Sequence, residues 1–374
     1  MTGKLLPSLE IHGFRVFDHL IINNLGRVNL IVGKNNVGKS SLLEAIWIYA
    51  NQASPSVLRT LLEGRDEMGQ EETQPTGEDV ENQITSIRHL FYGRGTLKNI
   101  QKPITIGPVG ETSKTVRINF KWFTEIVERG QGIRRLHEIE DFDSVNNPLP
   151  GLSIQFGDEL NILKTLLSES ISLRKYREQI ESPLDKKCVF VPANGLTSSN
   201  IERFWDGIAL TPLEDDVLHS LQLIEPTVER INLVGSNRTS RLRNRIPIVK
   251  IEGLDDPIPL RSLGEGMNRI LGIALALANA KGSLLLIDEI ESGLHYSIQP
   301  NIWQFVFQVA KRLNIQVFAT THSWDCVEAF QKSSRESDQD GYLIRLENKQ
   351  GKIIPTLFNE KELSNATREQ IEVR

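Results

Sequence analysis

The eight residues Gly33-Lys-Asn-Asn-Val-Gly-Lys-Ser40 constrain this chain more than any other stretch. They fit GxxxxGK[ST] without a gap. They follow an apolar run, Val28-Asn-Leu-Ile-Val32, and precede a helix-like run, SSLLEAIWIYANQ. Strand, glycine loop and helix in that order is the context that gives the pattern its meaning. Gly33 and Gly38 let the backbone turn tightly, so that its N–H groups and the helix N-terminus face an anion. Lys34, Asn35, Asn36 and Val37 complete the loop, and Lys39 is placed to reach the outer phosphates of ATP. Ser40 and Ser41 open the helix, and the Ser40 hydroxyl is suited to Mg2+.

The remaining elements predict an α/β fold. Leu9 to Val16 and Leu20 to Ile22 read as short strands ahead of the loop. Near the other end come a helix from Gly266 to Ala280, a strand Leu284–Ile287, a helix after Pro300, a strand Ile315–Thr320 and a short αβ tail. That alternation predicts a mostly parallel core sheet with helices on both faces. Between the two ends, residues 102 to 156 alternate apolar and polar side chains around Gly and Pro, which predicts a β-rich insertion. The polar stretch Glu63 to Gln83 predicts a mobile loop. Apolar residues at Ile162, Leu163, Leu166, Leu167, Ile171 and Leu173 predict an amphipathic helix over 158–180. Cys188 to Pro192 reads as a buried strand. The organisation expected is an N-terminal lobe (1–60), an insertion (61–185), a C-terminal lobe (186–330) and a tail (331–374).

Charge and cysteine content exclude several classes. A formal net charge of -5 argues against a histone-like coat of positive charge, though it leaves room for a local basic patch. Cys188 and Cys326 are far apart and form no CxxC pair, so neither a disulfide framework nor a zinc site is supported. No stretch approaches the roughly 18 to 20 apolar residues of a membrane span, and the N-terminus lacks an apolar signal core. A cytoplasmic protein without a membrane partner is expected.

The apolar strand Leu284–Ile287 ends in Asp288-Glu289, which carries both carboxylates to the carboxyl edge of the sheet. Asp288 is placed to hold the Mg2+ shell, through water, and Glu289 to orient or deprotonate an attacking water. The next strand ends in Thr320-Thr321-His322-Ser323, where His322 can hydrogen-bond the γ-phosphate or that water. Phe14 or Phe17 could stack on adenine, but buried aromatics are the commoner case and both read first as core.

Four elements in order, GKNNVGKS, Ser262-Leu-Gly-Glu-Gly266, LLLIDEIESGLH and TTHS, resemble the ATP-binding heads of ABC ATPases. Within that superfamily the chain is most similar to the SMC/RecF-like branch. More narrowly it resembles the AAA-type ATPases of the OLD (overcoming lysogenization defect) family and of split, PARIS-like anti-phage systems. The resemblance covers roughly residues 8 to 50 and 185 to 330. It implies an ABC-type P-loop head in which Ser262, Gly264, Glu265 and Gly266 form a signature loop. That loop would complete the ATP site of a second subunit in a head-to-tail homodimer or larger assembly. It further implies that Ser292 to His295 are the D-loop and His322 the switch histidine. Gln83 and Gln155 are the candidates for a Q-loop glutamine.

OLD proteins carry a C-terminal Toprim nuclease, but here only a short tail follows His322. Asp338-Gln339-Asp340 lies in the polar run QKSSRESDQDG and reads as a surface turn. The function expected is therefore a sensor or regulatory ATPase of a bacterial anti-phage system, controlling a separately encoded effector such as a Toprim-like nuclease. The alternatives are a DNA-repair or chromosome ATPase and, behind it, a transporter subunit. The tail NEKELSNATREQIEVR reads either as an ordinary terminal helix or as a docking segment for such an effector. Arg238, Arg241, Arg243 and Arg245 lie between two strand-like runs, INLVG and IPIVKI. They read as a hairpin tip for nonspecific DNA phosphate contact, or equally as a solvated loop.

Overall fold

The computed structural model describes residues 4–68, 86–94, 102–127, 134–139, 148–157, 159–163, 188–235, 245–337 and 341–368. The chain opens with a hairpin, β1 (Leu9–Phe14) and β2 (Phe17–Ile22), then β3 (Val28–Val32). In β1 the pleat sends Leu9 and Ile11 into the core and leaves Glu10 and His12 on the other face, the period of two expected of a half-buried strand.

The β-rich insertion extends this hairpin. Its strands are β4 (Ile104–Gly107), β5 (Val116–Val127), β6 (Arg134–Ile139), β7 (Leu149–Phe156) and β8 (Glu159–Leu163). They form an antiparallel sheet in the order β2-β1-β4-β5-β7-β8, with β6 on β5. Strand β8 corrects the helix expected from residue 158. Leu163 pairs with Leu152 and Glu159 with Phe156, across a tight turn in which Gly157 has φ 58°. Glycine in that left-handed conformation favours a hairpin, and the pairing overrides the helical spacing of Ile162 and Leu163. The rest of the expected helix, with Leu166, Leu167, Ile171 and Leu173, lies outside the described residues.

The polar stretch from Glu63 also differs from the mobile loop expected, in its first residues. Glu63 ends a helix, Pro55–Glu63, and just beyond it Glu67 pairs with Arg15 at 2.8 Å and Arg65 with Glu44 at 2.7 Å. Arg15 and Glu44 are buried, so these charges are structural partners. Residues 69–85 lie outside the described residues.

The core sheet is mostly parallel, as the sequence predicts. Its order is β16-β15-β3-β14-β13-β9, from β9 (Cys188–Val191), β13 (Leu284–Ile287), β14 (Gln316–Thr320), β15 (Gly341–Lys349) and β16 (Lys352–Phe358). Only β16 is antiparallel, and the C-terminal strand β15 lies directly beside β3. Every residue of β3 is buried, which requires cover on both faces. Val28, Leu30 and Val32 join one core with the helix Glu265–Asn279, while Ile31 joins the other with the helix Lys39–Ala50. That second core also takes Leu9, Ile11, Ile104 and Ile118, so the Lys39–Ala50 helix is packed between the two sheets. Asn29, in the middle of β3, has its amide satisfied by Gly26 and Val317.

A third sheet joins β10 (Val228–Gly235), β11 (Arg245–Ile251) and the short β12 (Ile258–Pro259). Here β10 and β11 form the predicted antiparallel hairpin. Arg238, Arg241 and Arg243, expected at its tip, lie outside the described residues, as does Asp338-Gln339-Asp340.

Candidate nucleotide site

Strand β3 delivers the phosphate loop to the carboxyl edge of the parallel sheet. The loop's shape needs its glycines. Gly33 has φ 145°, and a Cβ there would lie 2.4 Å from the Leu346 carbonyl oxygen. Gly38 has φ 99°, and a Cβ there would meet Val16 at 2.6 Å. Asn36 takes a left-handed φ of 64°. Lys34, Asn35 and Asn36 are exposed at the mouth, whereas Val37 is a buried anchor beneath it. Lys39 is 5% exposed, and its ammonium donates to the Gly33 and Lys34 carbonyls at 2.7 and 3.0 Å. Burial pushes that ammonium below its ordinary pKa, opposed by Asp288, Glu289 and Glu291. The Ser41 side chain is buried beneath the loop, 3.5 Å from Arg65.

Folding brings Ser40 to the acid pair from across the chain. The Ser40 hydroxyl donates to Asp288 Oδ1 at 3.2 Å, and the Thr320 hydroxyl donates to the same oxygen at 2.6 Å. A hydroxyl and a carboxylate together are the hard oxygen donors that Mg2+ takes, so these residues fit that ion. Glu289 follows in a left-handed conformation, φ 49°. A non-glycine residue held there costs about 1–3 kcal/mol unless its surroundings impose it, and such strain gathers at functional sites. The surroundings impose it here: Glu289 N–H donates to Thr320 Oγ1 at 2.8 Å, and its carbonyl accepts from Arg269 at 2.8 Å. His322 Nε2 lies 3.4 Å from Glu289 Oε1, and His322 N–H donates to Glu291 Oε1 at 2.8 Å.

Arg269, Thr320 and Glu291 belong to this cluster but were not singled out from the sequence. The signal for Thr320 was a polar residue closing an apolar strand; for Arg269, a lone cation within the apolar run of the Glu265–Asn279 helix. Arg269 is 6% exposed and bonds four carbonyls, those of Pro192, Ala193, Asp288 and Glu289, at 2.6 to 3.4 Å. It ties the helix behind Ser262–Gly266 to the backbone of the acid pair, and so acts as a positioning residue. Arg269→Met is expected to destabilise the chain by about 2–4 kcal/mol. It should also lower kcat for ATP with little change in KM, and Arg269→Lys should recover part of that loss. Steady-state kinetics beside a denaturant titration check this; an unchanged kcat in a folded Arg269→Met chain removes the role.

Ser262, Gly264 and Glu265 are exposed, and among the described residues no hydrogen bond ties them to the phosphate loop. Gly266 instead lies against Ser292–His295: a Cβ at Gly266 would come within 2.9 Å of the Gly293 carbonyl oxygen. These two segments form one exposed surface with His295 and Tyr296, the latter 61% exposed. Gln155 is on β7 and donates to the Gly157 carbonyl, while Gln83 lies outside the described residues. Phe14 and Phe17 are both buried core residues. Arg245 is ion-paired with Asp206 at 2.5 Å. Both cysteines are free and buried, and burial raises the Cys326 thiol to about 12.

A parallel sheet that presents a glycine loop, a buried lysine and an acid pair at one edge defines a P-loop nucleoside triphosphatase. Comparison with known proteins agrees. A model described as "AAA ATPase domain" matches residues 5–142, and one described as "AAA domain, putative AbiEii toxin, Type IV TA system" matches residues 213–325. An ATP/GTP phosphatase of Helicobacter pylori is 25% identical over 354 residues, which span 89% of this chain and 90% of that protein. A methionine import ATP-binding protein of Listeria monocytogenes is 33% identical over 88 residues, 24% of this chain and 25% of its own. Among solved structures, an SMC head bound to the C-winged helix domain of ScpA aligns over 97% of this chain and 99% of its own, with 13% identity and a TM-score of 0.48. Two stretches of the chain thus match AAA-type ATPase domain models, and together with the site they mark it as an NTPase.

Proposed function

We propose that this ATPase is Mg2+-dependent, works as a head-to-tail homodimer, and serves as the regulatory subunit of a bacterial defence system with a separately encoded effector. The observation that carries the chemistry is the meeting of Ser40, Asp288, Glu289 and His322 at one sheet edge. Bound Mg2+ would neutralise phosphate charge there, held by the Ser40 hydroxyl and, through water, by Asp288. Lys39 exchanges its two carbonyl partners for phosphate oxygens. Glu289 accepts a proton from water at its carboxylate, and His322 holds that carboxylate in place.

The exposed surface that joins Ser262–Gly266 to Ser292–Tyr296 supports the dimer, since it leaves the signature residues free to face a second chain. Mixing two defective chains tests it. Lys39→Ala and Gly264→Asp chains should each be inactive, whereas a two-fold dimer pairs one intact phosphate loop with one intact signature. The mixture should therefore recover up to about a quarter of normal turnover. A mixture as inactive as its components overturns the head-to-tail arrangement.

The defence reading is supported by the second domain model, whose description names a putative AbiEii toxin and a Type IV TA system. It is supported too by the motif resemblance to OLD-like ATPases. On this reading the effector is a nuclease, and any DNA contact is nonspecific, through Arg238, Arg241, Arg243 and Arg245. Co-purification with mass spectrometry decides the partner: a nuclease favours defence, and a membrane permease sinks it in favour of transport. No helix among the described residues is long and apolar enough to cross a membrane.

A further inference from the structure

Outside the nucleotide cluster, three metal-ligating side chains converge on the outward face of the β1–β2 hairpin. Glu10 and His12 are two apart on β1 and share a face, and His19 is the register partner of His12 on β2. The two imidazole rings stack with centroids 3.9 Å apart. Both Nε2 atoms lie on one oxygen, Glu10 Oε1, at 3.0 Å from His12 and 2.9 Å from His19. All three ligand atoms fall within 4.8 Å of one another.

The geometry points to a divalent transition-metal site, of the zinc class, formed by Glu10, His12 and His19. Two imidazoles and a carboxylate leave a fourth position for water, the three-ligand pattern of an open Zn2+ site. Nitrogen donors argue against this being a second Mg2+ site, since Mg2+ takes oxygen. Tetrahedral bonds of about 2.0–2.2 Å place neighbouring ligand atoms roughly 3.3 Å apart, so the Glu10–His contacts need widen by only a few tenths of an ångström. On binding, each imidazole carries its proton on Nδ1 and turns the Nε2 lone pair to the metal.

The scaffold is rigid enough to hold such a site. Strand β1 is flanked by β2 and β4, and the opposite face of the hairpin, Leu9, Ile11, Leu20 and Ile22, is at most 1% exposed. Ligands carried on paired strands are more sharply placed than ligands on loops. The same hairpin turn bears Val16 and Phe17, which pack on Gly38 of the phosphate loop. A metal that ties β1 to β2 therefore braces a wall of that loop.

Isothermal titration of the full chain with Zn2+, in Mg2+-containing buffer, tests the site. The expected result is one saturable Zn2+ per chain. His12→Ala and His19→Ala should each weaken binding at least about tenfold, the loss that even outer partners of a metal cause. Glu10→Gln should weaken it as well, and Asp288→Asn should leave it intact. Circular dichroism confirms that each variant is folded, and His12→Gln with His19→Gln replaces any that is not. Absence of saturable binding, binding untouched by both histidine variants, or loss on Asp288→Asn would each overturn the assignment.

Discussion

Glu289→Gln is expected to bind ATP as the unaltered chain does and to turn it over about 10²–10⁴-fold more slowly, the contribution of a positioned general base. The amide has nearly the shape of the carboxylate. The strained backbone at φ 49° rests on bonds to the main-chain atoms of residue 289, from Thr320 and Arg269, which the substitution does not touch. What disappears is the carboxylate that lies 3.4 Å from the His322 ring and can take a proton. Because binding persists while turnover stops, the variant should accumulate as an ATP-bound dimer. Single-turnover kinetics and size-exclusion chromatography with ATP read both effects. Normal turnover would remove Glu289 as the base and leave Asp288 or His322 to be tested in its place.

Lys39→Ala should abolish measurable ATP binding. The ammonium is buried, and Asp288, Glu289 and Glu291 are the acids whose fields act on it. Without it, phosphates would meet those three acids with no lysine ammonium between them, and the Gly33 and Lys34 carbonyls would lose their donor. Each charge-assisted hydrogen bond lost is worth about 1.5–3 kcal/mol, so two phosphate contacts exceed a hundredfold in affinity. Titration with a fluorescent ATP analogue measures the loss, and circular dichroism separates it from misfolding. Unchanged affinity would show that the loop's N–H groups alone hold the nucleotide.

Residues that act through their neighbours in sequence were legible without coordinates. GKNNVGKS carries its chemistry in eight consecutive positions, and its flanking strand and helix follow from short apolar runs. The parallel sheet followed from strand–helix alternation, and the Arg245 hairpin from two strand-like runs, INLVG and IPIVKI. Asp288, Glu289 and His322 were legible because each ends an apolar strand, and strand ends in a parallel sheet share one edge.

Where local signals competed, the sequence misled. The Ile162–Leu163 pair suits a helix as well as a strand, and only pairing with Leu152 and Ser153 decided between them. The polar run after Glu63 looked solvated because nothing nearby in sequence reveals that Arg15 and Glu44 await Glu67 and Arg65. His12 and His19 were passed over for the same reason: seven residues apart, they meet only through cross-strand register.

By itself, then, the sequence determined the phosphate loop, the acid pair and the α/β class, because each rests on periodicity or on residues adjacent in the chain. The tertiary structure alone decided that Ser40 meets Asp288, that Arg269 clamps the backbone of Glu289, and that Glu10 joins two histidines. Those contacts depend on strand order and register, which bring together residues that no local spacing relates.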